Sequence, residues 1–266
     1  MQDLKIGLIQ TQQFWEDKKA NLAHFESEFL SKIEPGAIDL VLLPEMFNTS
    51  FSMNVEQLAE QMSGDTISWL THWANKLNCQ IGGSLIISEN KKFYNRFVIV
   101  SKNGIETSYD KRHLFRMANE HQQFSSGQNR VVHTIKGWPI LLQVCYDLRF
   151  PVFSRNRYLD AQKEYEAVIY VANWPEKRAF IWKNLIQARA IENQAYAIGL
   201  NRVGEDGNGI TYSGDSMLVD PWGNIDTEFP ASAQCFKIVT LKRSVMESIK
   251  TAFPAYLDAD ISSISI

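Results

Sequence analysis

Residues 4–9 alternate into a short strand, and residues 16–33 then set Leu22, Phe25, Phe29, Leu30 and Ile33 on one helical stripe between charged positions. Pro35-Gly36 ends that helix. Residues 38–43 form an almost continuous apolar run, the pattern of a strand buried on both faces, and it stops at Pro44-Glu45. This β-α-β order predicts parallel strands at the front of an α/β domain. Residues 48–63 are irregular, and residues 66–77 return to helical spacing through Ile67, Leu70, Trp73 and Leu77. Residues 80–87 and 93–100 read as two strands of a hairpin around a polar loop. Residues 105–109, after the Asn103-Gly104 turn, add a third antiparallel strand, so the sheet is mixed.

Residues 111–127 have no steady period and are rich in charge, and a long irregular stretch of this kind is usually functional. Strands are predicted over 131–135 and 138–144, the second ending on Cys145. A helix is predicted over 150–159, and a buried strand over 167–171 ends at Asn173-Trp174-Pro175. The clearest helical pattern covers 180–197, where Arg189 and Glu192 stand three apart and can pair. A strand at 198–203, a glycine-rich loop at 204–209, a strand at 217–219 entering the turn at 220–224, a strand at 234–241 and a short helix at 245–249 follow. The tail, 258–266, has little helical signal and fits a strand, a dimer contact or a disordered end. No linker or repeat interrupts the pattern, so a single domain over residues 1–266 is expected.

Composition narrows the function classes. Apolar residues make up 45% and charged residues 21%, as in ordinary globular proteins, and the net charge of −3 comes without a block of like charges. That argues against a nucleic-acid partner or a polybasic membrane patch. No apolar run approaches membrane-spanning length, and the N-terminus lacks the pattern of a signal peptide. Three scattered cysteines, with no CxxC, argue against a disulfide framework or a zinc site and favour the reducing cytoplasm. Cys79 and Cys235 read as buried hydrophobes. The five histidines show no metal spacing, so no metal is expected. The 204–209 loop fits no phosphate-binding motif, and no GxSxG offers a serine nucleophile.

Three predicted strand ends carry a carboxylate, an amine and a thiol: Glu45, Lys111 and Cys145. Sites in open α/β sheets lie beyond the carboxyl ends of strands, so the three are expected to converge. A thiolate can attack a carbonyl carbon, a carboxylate in a dry pocket can move the proton, and an ammonium can stabilise the oxyanion. A strand that turns into a helix after Cys145 would favour the thiolate through the helix N-terminus. The plainer readings are a core cysteine, a loop-capping glutamate and a solvated lysine. Glu120 can add a second carboxylate that orients Lys111 or the substrate. His113 and His121 lie in the Lys111 loop, either lining the pocket or hydrogen-bonded as structure. Trp174 reads equally as a wall of the site or as core.

LLPEMF, YDKRHLF and VCYDLRFP, in that order, resemble the three catalytic signatures of the nitrilase (carbon–nitrogen hydrolase) superfamily. GGSLI followed by YNR, then VANWP, QARAIENQAYAIGLNRVG and SMLVDPWGN, extend the likeness over nearly the whole chain, which looks most like the omega-amidase, or 2-oxoglutaramate amidase, branch. The resemblance implies a four-layer α-β-β-α sandwich of two mixed sheets with helices outside, and a homodimer with residues 150–159 and 180–197 as candidate contacts. It implies Glu45 as general base, Lys111 as the oxyanion-side cation, Cys145 as nucleophile, Glu120 as the additional glutamate and Tyr146 as donor of an oxyanion N–H. It further implies hydrolysis, with water and no cofactor, of the terminal amide of a 2-oxo dicarboxylic acid monoamide such as 2-oxoglutaramate or 2-oxosuccinamate. The distal carboxylate of such a substrate needs an arginine, and Arg116 and Arg149 are the candidates, the plainer reading of Arg149 being a pair with an acid that holds the turn in place. The same three groups would also serve a nitrilase, an N-carbamoyl amidohydrolase or an amidase for another small amide, and a catalytically silent binding protein is the rival from outside the enzymes.

Overall fold

The computed structural model describes residues 2–159 and 162–259. Most of residues 258–266, whose role the sequence left open, lie outside that range. Two six-stranded sheets form the centre. The first runs in the order Cys235–Leu241, Leu4–Gln10, Leu40–Leu42, Gln80–Glu89, Lys92–Ser101, Gly104–Asp110. The second runs Ile225–Glu228, Met217–Val219, Tyr196–Asn201, Ala167–Ala172, Trp138–Val144, Val132–Ile135. In each, two adjacent parallel pairings are flanked by antiparallel ones, and the two sheets carry the same order of pairings when one is read backwards. The last strand in the chain belongs to the first sheet and pairs antiparallel with the first strand.

Alternation along the strands explains the layers. Leu4, Ile6, Leu8, Leu40 and Leu42 join Trp138, Ile140 and Leu142 in one core, while Ile9, Val41 and Leu43 pack with Phe25, Leu70 and Trp73 of the helices Lys18–Glu28 and Asp65–Leu77. The helix Ala179–Asn193 packs on the second sheet. At Gly199 a Cβ would lie 2.7 Å from the Trp182 ring, so only glycine lets helix and strand approach this closely. The architecture is the α-β-β-α sandwich of two mixed sheets. Among the described residues, no helix is long and apolar enough to cross a membrane.

Several expectations need correction. The predicted helix over 150–159 is a single turn, Pro151–Ser154, followed by a two-residue strand at Tyr158–Leu159. Pro151 does begin the turn, but the Asn156 side chain and backbone bond to Tyr165 and Asn193 and draw the chain away from a helical path. The strand at 198–203 is split into Tyr196–Asn201 and the hairpin strand Val203–Glu205. Ile225–Glu228, with little apolar signal of its own, is an edge strand. Cys79 and Cys235 are half-buried rather than core residues.

Candidate active site

Glu45 follows the Leu40–Leu42 strand, Lys111 follows Gly104–Asp110, and Cys145 and Asn173 follow two neighbouring parallel strands of the second sheet. The two sheets thus face each other with these ends together. Lys111 Nζ donates to Glu45 Oε1 at 2.9 Å and to Glu120 Oε1 and Oε2 at 2.9 and 3.0 Å, and all three side chains are fully buried. Each ammonium proton therefore has a carboxylate. The remaining lone pairs are also engaged: Asn95 Nδ2 donates to Glu45 Oε1 at 2.8 Å and to Glu120 Oε1 at 3.3 Å, Asn173 N donates to Glu45 Oε2 at 2.8 Å, and Phe115 N donates to Glu120 Oε2 at 2.6 Å. Ser84 Oγ orients Asn95 from behind and accepts the Met46 N–H. Buried charges persist only when they are paired and hydrogen-bonded in this way.

The 111–127 loop that carries Glu120 closes on itself. Gly127 N donates to Lys111 O, and a Cβ at Gly127 would lie 2.0 Å from the Asp110 carbonyl oxygen. Glu120 opens the one-turn helix Glu120–Gln123 inside this loop and so faces Lys111.

Burial would pull the Lys111 ammonium down, but Glu120 and Glu45 outweigh it and hold the group above the usual lysine range. Burial likewise pushes Glu120 above the usual carboxylate range against the pull of Lys111. The Cys145 thiol is pushed well up, first by burial and then by the Glu45 carboxylate beside it, with Lys111 opposing. This corrects the expected thiolate at a helix N-terminus. After Cys145 comes a 3-10 turn, Cys145–Arg149, then the single turn Pro151–Ser154, and so short a helix has little dipole to offer. Burial and the neighbouring carboxylate favour the neutral thiol, and attack from that form calls for a base.

Cys145 has φ of +45°, a left-handed conformation that a residue with a Cβ adopts at a cost, and Sγ points at Asn173 O, 3.8 Å away. Asp147 holds this turn. Its buried carboxylate accepts from Val144 N (3.0 Å), Tyr109 Oη (2.7 Å), His113 N (3.0 Å) and His113 Nδ1 (2.7 Å), tying the cysteine turn to the residues flanking Lys111. Asp147→Asn puts an amide N–H against donors, and a loss of about 3 kcal/mol is expected. If the turn moves with it, kcat falls about 10²-fold with KM nearly constant. Thermal unfolding and steady-state kinetics check both, and an unchanged kcat in a folded variant would show that Asp147 does not position the thiol.

Cys145 and Lys111 open into a cavity of about 570 Å³, walled by Phe51, Met53, Phe115, Trp174 and Tyr212. Tyr146 lines it, and its backbone N–H lies in the first turn of the 3-10 segment, where no acceptor exists within the turn. Trp174 lines the cavity and also packs on Trp182. Arg149 lines the cavity over the Trp174 ring. Arg116 does not: it is exposed, whereas its neighbours Phe115 and Met117 are in the wall. His113 and His121 are outside the lining, and His113 stacks on Phe150 at 3.8 Å. The sequence reading missed Asn95, Asp147, Asn173 and Arg178, and it missed that the 204–209 loop brings Asp206 and Asn208 to the cavity. A polar residue ending a fully apolar strand was the available signal for Asn173.

The sequence pattern of the carbon–nitrogen hydrolase family matches residues 5–251. The chain is 43% identical to the omega-amidase YafV of Yersinia enterocolitica over 260 residues, 98% of each protein. It is 32% identical to the 2-oxoglutaramate amidase of Bacillus subtilis over 206 residues, 76% of this chain and 78% of that one. A crystal structure of a CN-hydrolase superfamily protein from Xanthomonas campestris, with an arsenic adduct in its active site, matches 100% of both chains with a TM-score of 0.95 at 38% identity. A buried carboxylate–ammonium–carboxylate cluster beside a thiol, on this fold and in this sequence company, leads to one conclusion: the chain belongs to the carbon–nitrogen hydrolase family (the nitrilase superfamily), on its omega-amidase branch, and is a hydrolase of carbon–nitrogen bonds.

Proposed function

We propose that this enzyme hydrolyses the terminal amide of a 2-oxo dicarboxylic acid monoamide, 2-oxoglutaramate or 2-oxosuccinamate, to the 2-oxo dicarboxylate and ammonia. The observation that carries this reading is the pairing, in one cavity, of the Cys145 thiol with an arginine, Arg149, that has no acidic partner among the described residues. Glu45 takes the thiol proton as Sγ bonds to the amide carbon, and the resulting oxyanion is met by the Tyr146 N–H and the Lys111 charge. With its three protons already on carboxylates, Lys111 acts by shifting one towards the oxyanion or through its charge alone. Collapse of this intermediate breaks the C–N bond, and Glu45 passes its proton to the departing nitrogen, leaving ammonia and a Cys145 thioester. Water, deprotonated by Glu45, then attacks the thioester carbon, and the thiolate leaves and recovers the proton. Glu120 keeps Lys111 in place throughout, and Arg149 holds the distal carboxylate.

The three free cysteines suit the reducing cytoplasm. Phe180 and Ile191 are exposed on the Ala179–Asn193 helix, and Val152 is exposed on a turn whose Arg155 reaches the Glu192 carbonyl. That apolar surface supports a homodimer.

Ammonia release is the test, measured on 2-oxoglutaramate beside a panel of other amides, nitriles and N-carbamoyl amino acids, with Cys145→Ala as control. Release from the oxo amide that vanishes in the variant is expected. Release only from a nitrile or a carbamoyl compound would overturn the substrate, and release surviving Cys145→Ala would overturn the nucleophile.

A further inference from the structure

Of the eleven arginines, eight give their guanidinium groups to carbonyls, carboxylates or hydroxyls. Arg116, Arg149 and Arg178 have no such acceptor among the described residues, and the two of them that line the cavity are Arg149 and Arg178. A guanidinium that lines a partly desolvated wall and has no protein acceptor is suited to bind an anion.

Aromatic residues of the cavity wall hold each of them. Arg178 lies over the Phe115 ring at 5.3 Å, Phe115 meets Tyr146 edge-on at 5.0 Å, and Tyr146 adjoins Cys145. Arg149 lies over Trp174 at 5.3 Å, and Trp174 Nε1 donates to the Arg178 carbonyl at 2.9 Å. Trp174 thus carries one guanidinium and pins the backbone of the other. The acids in the lining do not compete for them. Asp206 is taken by Asn208 N, Ile210 N and Tyr212 Oη, and Glu16 by Ser52 and Asn54.

We propose that Arg178 is a specificity residue that, with Arg149, receives the 2-oxo acid head of the substrate. This rests on the function proposed above and extends it. A carboxylate next to a 2-oxo group presents three oxygens side by side, more than one fork-shaped guanidinium accepts in its plane. One arginine takes the carboxylate, and the second takes the oxo oxygen with the shared carboxylate oxygen. The same pair disfavours a 2-ammonium in that place, so glutamine, which differs from 2-oxoglutaramate only there, meets like charge.

The test is Arg178→Met, with Arg178→Lys beside it, assayed on 2-oxoglutaramate and on pentanamide, which has neither carboxylate nor oxo group. The ratio of kcat/KM between the two substrates is expected to fall about 10- to 100-fold in Arg178→Met, through KM, and Lys should restore part of it. An unchanged ratio, or an equal loss on both substrates, overturns the proposal and leaves Arg178 a packing residue. If the wild type hydrolyses other amides but not 2-oxoglutaramate, the proposed function fails by itself. Inhibition by 2-oxoglutarate against the working amide then judges Arg178: relief of that inhibition in Arg178→Met supports the role, and its persistence removes it.

Discussion

Glu45→Gln is expected to lower kcat by about 10²- to 10⁴-fold, the share that a positioned base supplies. The substitution keeps the volume of the side chain but not its two acceptors. Oε1 faces Lys111 and Asn95, and Oε2 faces the Asn173 N–H, so a glutamine leaves one side donor against donor. That costs about 1–3 kcal/mol, and Lys111 keeps Glu120, so the protein should still fold. Rapid-quench mass spectrometry separates the two halves of the reaction. Absence of the thioester in Glu45→Gln would place the base in acylation, whereas accumulation of the thioester would confine it to deacylation. Iodoacetamide labelling of Cys145 gives an independent sign. Glu45 pushes the thiol up and Lys111 pulls it down, so labelling should rise at lower pH in Glu45→Gln than in wild type, and at higher pH in Lys111→Met. Shifts of the opposite sign would mean that these charges do not act on Cys145.

What the sequence made legible follows from the physics of buried strands. Residues 38–43 and 138–144 are almost continuous apolar runs, broken only by Asp39 and Gln143, and each gives way to a polar or reactive group, so Glu45 and Cys145 could be placed at strand ends without coordinates. Lys111 was legible for a related reason, standing where an alternating strand meets an aperiodic charged loop. The second tier of the site had no such signal. Asn95 lies in the middle of a strand and reads like any polar position there, yet its amide bridges Glu45 and Glu120. Asp147 reaches residues 38 and 34 positions earlier in the chain, and Asn173 reaches Glu45 across the gap between the sheets. Side-chain bonds over such distances have no period. Arg178 was overlooked for the opposite reason, since a charged residue between Lys177 and a helix start looks like solvated surface. The helix read over 150–159 failed because tertiary bonds from Asn156 override a modest local preference.

Lys111→Met should abolish turnover and also weaken the fold more than any other single change in this site. Without the ammonium, Glu45 and Glu120 are two buried carboxylates that share only the Asn95 amide between them. Removing one partner of a buried ionic cluster costs about 3–5 kcal/mol. Most of that cost is like-charge repulsion, so it should depend on pH with a definite sign. Burial already sets Glu120 above the usual carboxylate range with Lys111 holding it down, and losing Lys111 sends it further up. A carboxyl whose folded value exceeds its unfolded one contributes stability below the unfolded value and loses it as pH rises through the folded one. The deficit of Lys111→Met against wild type should therefore be small in the acid range, where Glu120 is protonated in folded and unfolded protein alike, and grow as pH rises above the usual carboxylate range. Adding Glu120→Gln removes one of the two charges, and the double variant should recover most of the lost stability while remaining inactive. Denaturant melts of the three proteins across that range decide the matter. A deficit that stays flat with pH, or a double variant no more stable than the single one, would mean that Lys111 supports the fold by packing against Phe51 and not by separating two charges.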